Sequence, residues 1–89
     1  GLAVTATVQI VGRNGTVNTT YNGFVEVTVA VIGDSIVLLD QSHGMAAVEI
    51  IDGVGTVEVD TSETIPGDTV YFTVTGTRLD TTRTSFDVP

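Results

Sequence analysis

One imidazole sets the first question. His43 is the single histidine among 89 residues, and imidazole is the side chain whose ordinary titration falls nearest neutral pH. A Ser-His-Asp arrangement would draw its nucleophile from Ser42 or Ser35 and its carboxylate from Asp40 or Asp34. All of these are sequence neighbours, whereas a working triad gathers its members from separate elements that converge in space. No nucleophile elbow and no oxyanion-type glycine motif accompanies them. The expectation is a solvated loop histidine, no catalytic residue, and a chain that is not an enzyme.

The carboxylates raise calcium, which takes six to eight oxygen ligands. Asp34 and Asp40 flank a short apolar run, Asp60 and Glu63 flank a later loop, and Asp68 and Asp80 bracket another strand. Nothing matches the EF-hand spacing. Asp in a turn ordinarily accepts hydrogen bonds from nearby backbone N–H groups. That reading is taken here, so no metal site and no cofactor is assigned, and calcium stands as the alternative. Asn14-Gly15-Thr16 and Asn18-Thr19-Thr20 both fit the N-glycosylation acceptor pattern and share one exposed stretch.

Sugar binding would need an exposed aromatic platform. The chain has two Tyr, three Phe and no Trp. Phe72 and Phe86 are expected in the core, leaving Tyr21, Phe24 and Tyr71 as candidates. Outward Tyr71 is expected to bond a neighbouring loop. Glu26, Glu49 and Glu58 are expected on outward strand faces, where charge discourages edge-to-edge pairing in a chain without Lys.

Composition limits the partners. A formal net charge of -8 repels phosphate backbones and anionic membrane surfaces, so neither nucleic acid nor membrane is expected. No run of 18 apolar residues offers a membrane-inserting helix. Cysteine is absent, which excludes disulfides, thiolate nucleophiles and Cys-based zinc sites.

The elements that position these side chains are strands. Val and Thr abound, and branching at Cβ suits a pleated surface. Val4, Ala6, Val8 and Ile10 alternate with polar residues over 3–11, and Val25, Val27, Val29 and Val31 do so over 24–32. Ile36–Leu39 is a short apolar run without polar alternation and reads as a strand buried on both sides or covered by a loop, and 40–44 reads as a loop. Residues 45–51 and 54–60 read as a hairpin around Asp52-Gly53, a pair suited to a type I′ turn. Its register sets Ile51 against Val54, Glu49 against Thr56, Val48 against Val57, and Ala46 against Val59. After a loop over 61–67, strands follow at 69–75 and 82–88. About seven short strands and no helix predict an antiparallel β-sandwich of the immunoglobulin-like kind. Its expected core is Val8, Ile10, Val27, Val29, Leu38, Val48, Ile50, Val57, Val59, Val70, Phe72 and Phe86. Cutting Val29 or Phe72 to Ala is expected to cost about 2–5 kcal/mol.

The opening Val4-Thr5-Ala6-Thr7-Val8-Gln9-Ile10, the Gly12-Arg13-Asn14-Gly15 turn and Tyr21-Asn22-Gly23-Phe24-Val25-Glu26-Val27 resemble the first two strands of bacterial and archaeal immunoglobulin-like repeats of the Big and invasin type. Asp52-Gly53-Val54-Gly55-Thr56-Val57-Glu58-Val59 resembles their later hairpin, and 67–76 resembles their penultimate strand. The antibody Cys-Trp-Cys signature is missing. The resemblance covers most of the chain and brings no catalytic residue. It implies a single domain over 1–89, excised from a larger cell-surface protein: a structural spacer or adhesion module, S-layer-like or adhesin-like, and extracellular. The opening Gly1-Leu2-Ala3-Val4, already inside a strand pattern, suits such a piece. Its expected partners are neighbouring domains of the same chain or copies of itself. The alternative is a small carbohydrate- or calcium-binding accessory module of a secreted protein.

Overall fold

A computed structural model describes residues 3–89; Gly1 and Leu2, the lead-in to the first expected strand, lie outside the described residues. Eight strands follow in order: β1 (Ala3–Gln9), β2 (Gly23–Ile32), β3 (Ile36–Leu39), β4 (Ser42–His43), β5 (Met45–Ile50), β6 (Val54–Glu63), β7 (Thr69–Thr75) and β8 (Thr82–Asp87). They form two antiparallel four-stranded sheets, ordered β1-β6-β3-β4 and β5-β2-β7-β8. The chain is an all-β antiparallel sandwich with no helix among the described residues, and it has eight strands where about seven were expected. The additional strand is β4. Asp40 and Gln41 take positive φ values of 48° and 67°, which fold Ser42 and His43 back onto Leu39 and Leu38. The stretch 40–44, expected as a loop, is thus in part a small hairpin.

The larger correction concerns 45–60. The tight turn forms: Asp52 and Gly53 have φ of 52° and 84°, as type I′ requires, and Ile51 and Val54 exchange backbone hydrogen bonds of 3.0 and 3.1 Å. Beyond that one expected pair the strands separate. β5 runs beside β2, with Val48 against Val25 and Ala46 against Val27. β6 enters the other sheet, with Val57 against Ala6 and Val59 against Val4. The expected pairs Glu49–Thr56, Val48–Val57 and Ala46–Val59 do not form. Alternation is satisfied either way, because Val48 and Val57 meet the same interior from opposite sheets. The crossing needs Gly55, where a Cβ would lie 2.5 Å from the Glu49 carbonyl oxygen and 2.8 Å from Ile50 Cδ1. β6 also extends to Glu63, into the expected loop, with Glu63 opposite Ile36 across an irregular register.

Ile10, Val25, Val27, Val37, Leu39, Ala46, Val48, Ile50, Val57, Val59, Val70 and Val88 are buried together. Seven of the twelve expected core residues are among them: Ile10, Val27, Val48, Ile50, Val57, Val59 and Val70. Val8, Val29 and Phe72 are half-buried against the cluster. Leu38 also reaches only half-burial, because β3 alternates after all and turns Val37 and Leu39 inward. Phe86 is 38% exposed although it faces inward, opposite fully buried Val70. That disparity locates the molecule's one-sidedness. β5 packs on β6 and β3, and β2 packs on β3, which closes one side of the sandwich. On the other side lie the free edges of both sheets, β1 and β8, with an open cleft between them.

Candidate functional site

Several polar residues singled out from the sequence bond the backbone of nearby segments. Ser35 is buried between β2 and β3 and is tied to the loop before β7. Its backbone N–H and its hydroxyl donate to Asp68 Oδ2 at 2.8 and 2.6 Å, and the same hydroxyl oxygen accepts the Ile65 N–H at 2.7 Å. The hydroxyl bond, joined by the amide bond, holds the Asp68 carboxyl below the usual carboxylate range, against partial desolvation. Gly33 makes room for this latch: its φ is +127° and a Cβ there would overlap the Asp68 carboxylate. Ser35 is therefore bonded to Asp68 and Ile65, and His43 is not among its partners. His43 and Ser42 lie exposed on β4.

Asp40 Oδ1 accepts the Glu58 N–H at 2.9 Å while the Asp40 N–H donates to the Glu58 carbonyl at the same distance, binding the β3–β4 turn to β6. Asp60 Oδ1 accepts the Ser62 N–H at 2.8 Å, and hydrogen bonds from Ser62 lower its pKa. Asp40 thus takes the backbone-bonding role expected of Asp in turns, whereas Asp60 makes its bond within β6. Among the described residues no three carboxylate or imidazole side chains come together as a metal-binding group. Asn14 Oδ1 accepts both the N–H and the hydroxyl of Thr16, and Asn18 does the same for Thr20, so both acceptor patterns are folded into local turns on the surface.

The aromatic candidates are dispersed. Tyr21 packs half-buried against the core. Phe24 is 64% exposed on the outer face of β2, in a depression with Ala47, Thr75 and Thr77 that holds no second aromatic ring. Tyr71 meets Arg83 of β8, whose guanidinium carbon sits 5.5 Å from the ring centroid; the partner is a neighbouring strand and not the expected loop. Of the three outward glutamates, only Glu49 lies on an edge strand, since Glu26 and Glu58 belong to the interior strands β2 and β6.

What the fold leaves open is the cleft between β1 and β8, a space of about 410 Å³. One wall is Val4, Ala6, Thr7 and Val8 of β1 with Val57, Val59 and Thr61 of β6; the other is Val27, Phe72, Val74, Thr84 and Phe86. Phe72 and Phe86 stack there at 5.9 Å. Register explains why these side chains share the cleft. Val4 lies opposite Val59 and Ala6 opposite Val57, while Phe72 lies opposite Thr84 and Val70 opposite Phe86. No charged residue lines the walls. This is apolar surface that water wets, next to two sheet edges with unpaired backbone groups, and such surface favours association over chemistry. No signal in the sequence marked it, because alternation names the face a residue takes and not whether that face is covered.

Comparison with known proteins gives no match to a family model, a curated protein or a solved structure.

Proposed function

We propose that the chain is a non-catalytic structural or adhesion module of an extracellular surface protein, S-layer-like or adhesin-like, that works by packing against neighbouring domains or against copies of itself. The observation that carries this reading is the open apolar cleft bordered by the free strands β1 and β8. The resemblance of the opening strands and of the Asp52–Val59 segment to Big and invasin-type repeats points the same way. So does the elongated form, 39 × 22 × 18 Å, which suits a link in a row. Among the polar residues that drew attention as candidates for chemistry, Asp40, Asp60 and Asp68 accept hydrogen bonds from backbone N–H groups.

Brief protease shaving of intact source cells tests the location. The reading expects peptides of this chain in the released fraction; their recovery only after lysis overturns it. A melting curve taken with and without millimolar calcium tests the accessory-module alternative. A rise of several degrees would reveal a native-state site by mass action and favour that alternative.

A further inference from the structure

We propose that two copies of this chain join through β1, antiparallel about a twofold axis, so that each copy closes the other's cleft. The purpose of the pairing rests on the assembly reading above; the pairing itself rests on the edges, the register and the charges.

The sandwich has four edge strands: β1, β4, β5 and β8. Natural edges are blunted by shortness, charge, proline or a bulge. β4 has two residues, β5 carries Glu49, and β8 carries Arg83 and Asp87. β1 has none of these devices. It is seven residues long, reads AVTATVQ, bears no charge and no proline, and follows β6 in unbroken register. The edge left undefended is the one that borders the apolar cleft.

The occupant must pair with the β1 backbone and offer an apolar side chain at every second position. β1 meets that description itself. Antiparallel pairing with full overlap centres on Ala6. It sets Val4 opposite Val8 and Ala6 opposite Ala6 on the inner face, and Thr5 opposite Thr7 on the outer face. A slip of one residue would set inner against outer side chains. Val4, 52% exposed, and Phe86 then meet the rim of the second copy.

Charge decides whether two chains of net charge -8 can approach this way. Within the sheet of β1, the acids one strand inward from the seam are Glu58 and Asp60 on β6, opposite Thr5 and Ala3; in the other sheet, Asp87 at the end of β8 shares that strand with Arg83. From β6 to the second copy's β6 is three strand spacings, about 14 Å. That exceeds the Debye length of about 8 Å at physiological ionic strength. Repulsion is screened across the seam, and the seam itself is neutral.

Light scattering on the intact chain tests the proposal. The expected mass is twice 9.2 kDa, falling to one copy on dilution. Thr5→Lys with Thr7→Lys places like charges directly opposite each other. Two added positive charges lower the magnitude of the net charge, so global repulsion cannot explain a loss of pairing. The variant is expected to be a monomer with an unchanged circular dichroism spectrum, whereas Ala47→Lys on the β5 edge keeps the dimer. Ala6→Cys supplies the only thiol in the chain. Directly opposed residues have Cα atoms about 4.5–5.5 Å apart, within disulfide range, so mild oxidation should cross-link this variant. A monomer at about 1 mM overturns the proposal, whether the cleft is filled by a foreign strand, an apolar small molecule or nothing. So does a dimer that survives Thr5→Lys with Thr7→Lys, one lost with Ala47→Lys, or an Ala6→Cys dimer that fails to cross-link. None of these outcomes bears on the shaving experiment, so the surface-module reading stands or falls separately.

Discussion

Val70 and Phe86 are opposite one another in register, on the same face of the same sheet, yet Val70 is fully buried and Phe86 is 38% exposed. They mark the two halves of the molecule. Toward β2, β3 and β5 the sheets pack on each other and bury Leu39, Val48 and Ile50. Toward β1 and β8 the same alternation of apolar and polar residues leaves Ala6, Val8, Phe72 and Val74 half-covered and Val4 exposed. A β-strand assigns its side chains to faces with a period of two. Whether a face is dry depends on what lies across from it, and that is a property of topology.

The sharpest way to break this contrast is to truncate both halves. Ile50→Ala on the closed side should cost about 3–4 kcal/mol, because lost transfer energy and a residual cavity add. Val4→Ala on the open side should cost about 0.5 kcal/mol or less, since water already reaches the site. Urea unfolding of dilute protein measures both; equal costs would mean that the two halves do not differ. Phe72 borders the cleft and Val29 lies opposite it in register, both only half-buried, so their truncation should fall near or below the lower end of the range expected from sequence, about 2 kcal/mol.

The crossing and the latch belong to the closed half and give the next effects. Gly55→Ala should destabilise by about 1–3 kcal/mol, since its Cβ would press on the Glu49 carbonyl and on Ile50 where the chain changes sheets. A neutral result would favour the flat hairpin that the sequence suggested. Ser35→Ala removes a hydroxyl that both donates and accepts and leaves the Ile65 N–H without its partner, at about 1–3 kcal/mol.

Acid should loosen the fold without touching the cleft, which is uncharged. Asp60 and Asp68 both have pKa values lowered below the ordinary 3.8 in the folded chain. A carboxylate whose folded pKa is depressed contributes stability above its unfolded pKa and loses it as pH falls through the folded value. The urea midpoint should therefore hold from neutral pH down to about 4 and decline below that. Asp68→Asn should flatten part of the decline; an unaltered acid limb would mean that the latch does not titrate as described.

Much of this was legible in the residues. The alternations over 3–11 and 24–32 gave the strands and their inward faces, and Asp52-Gly53 gave a type I′ turn that formed as read. The strand at 69–75 matched to the residue. What the residues concealed was pairing. Val48 and Val57 satisfy the same pattern as neighbours in one sheet or as opposites across two, and only the close approach at Gly55 separates the cases. Ser42 and His43 form a strand through positive φ at Asp40 and Gln41, and glutamine is not a residue type that signals such a turn. The Ser35–Asp68 latch spans 33 positions, beyond the reach of any local motif. The cleft left no sequence signature either, because Phe86 follows an inward pattern and opens to water only where β8 has no strand across from it.

Solvent access along the two halves can be read directly by proton spectroscopy of methyl groups with a soluble paramagnetic chelate, in the dilute Thr5→Lys, Thr7→Lys protein. Methyl signals of Val4, Ala6, Val8 and Val74 should lose intensity as the chelate is added, while those of Leu39, Ile50 and Val70 stay sharp. Uniform protection of both sets would contradict a sandwich that is sealed on one flank and open on the other.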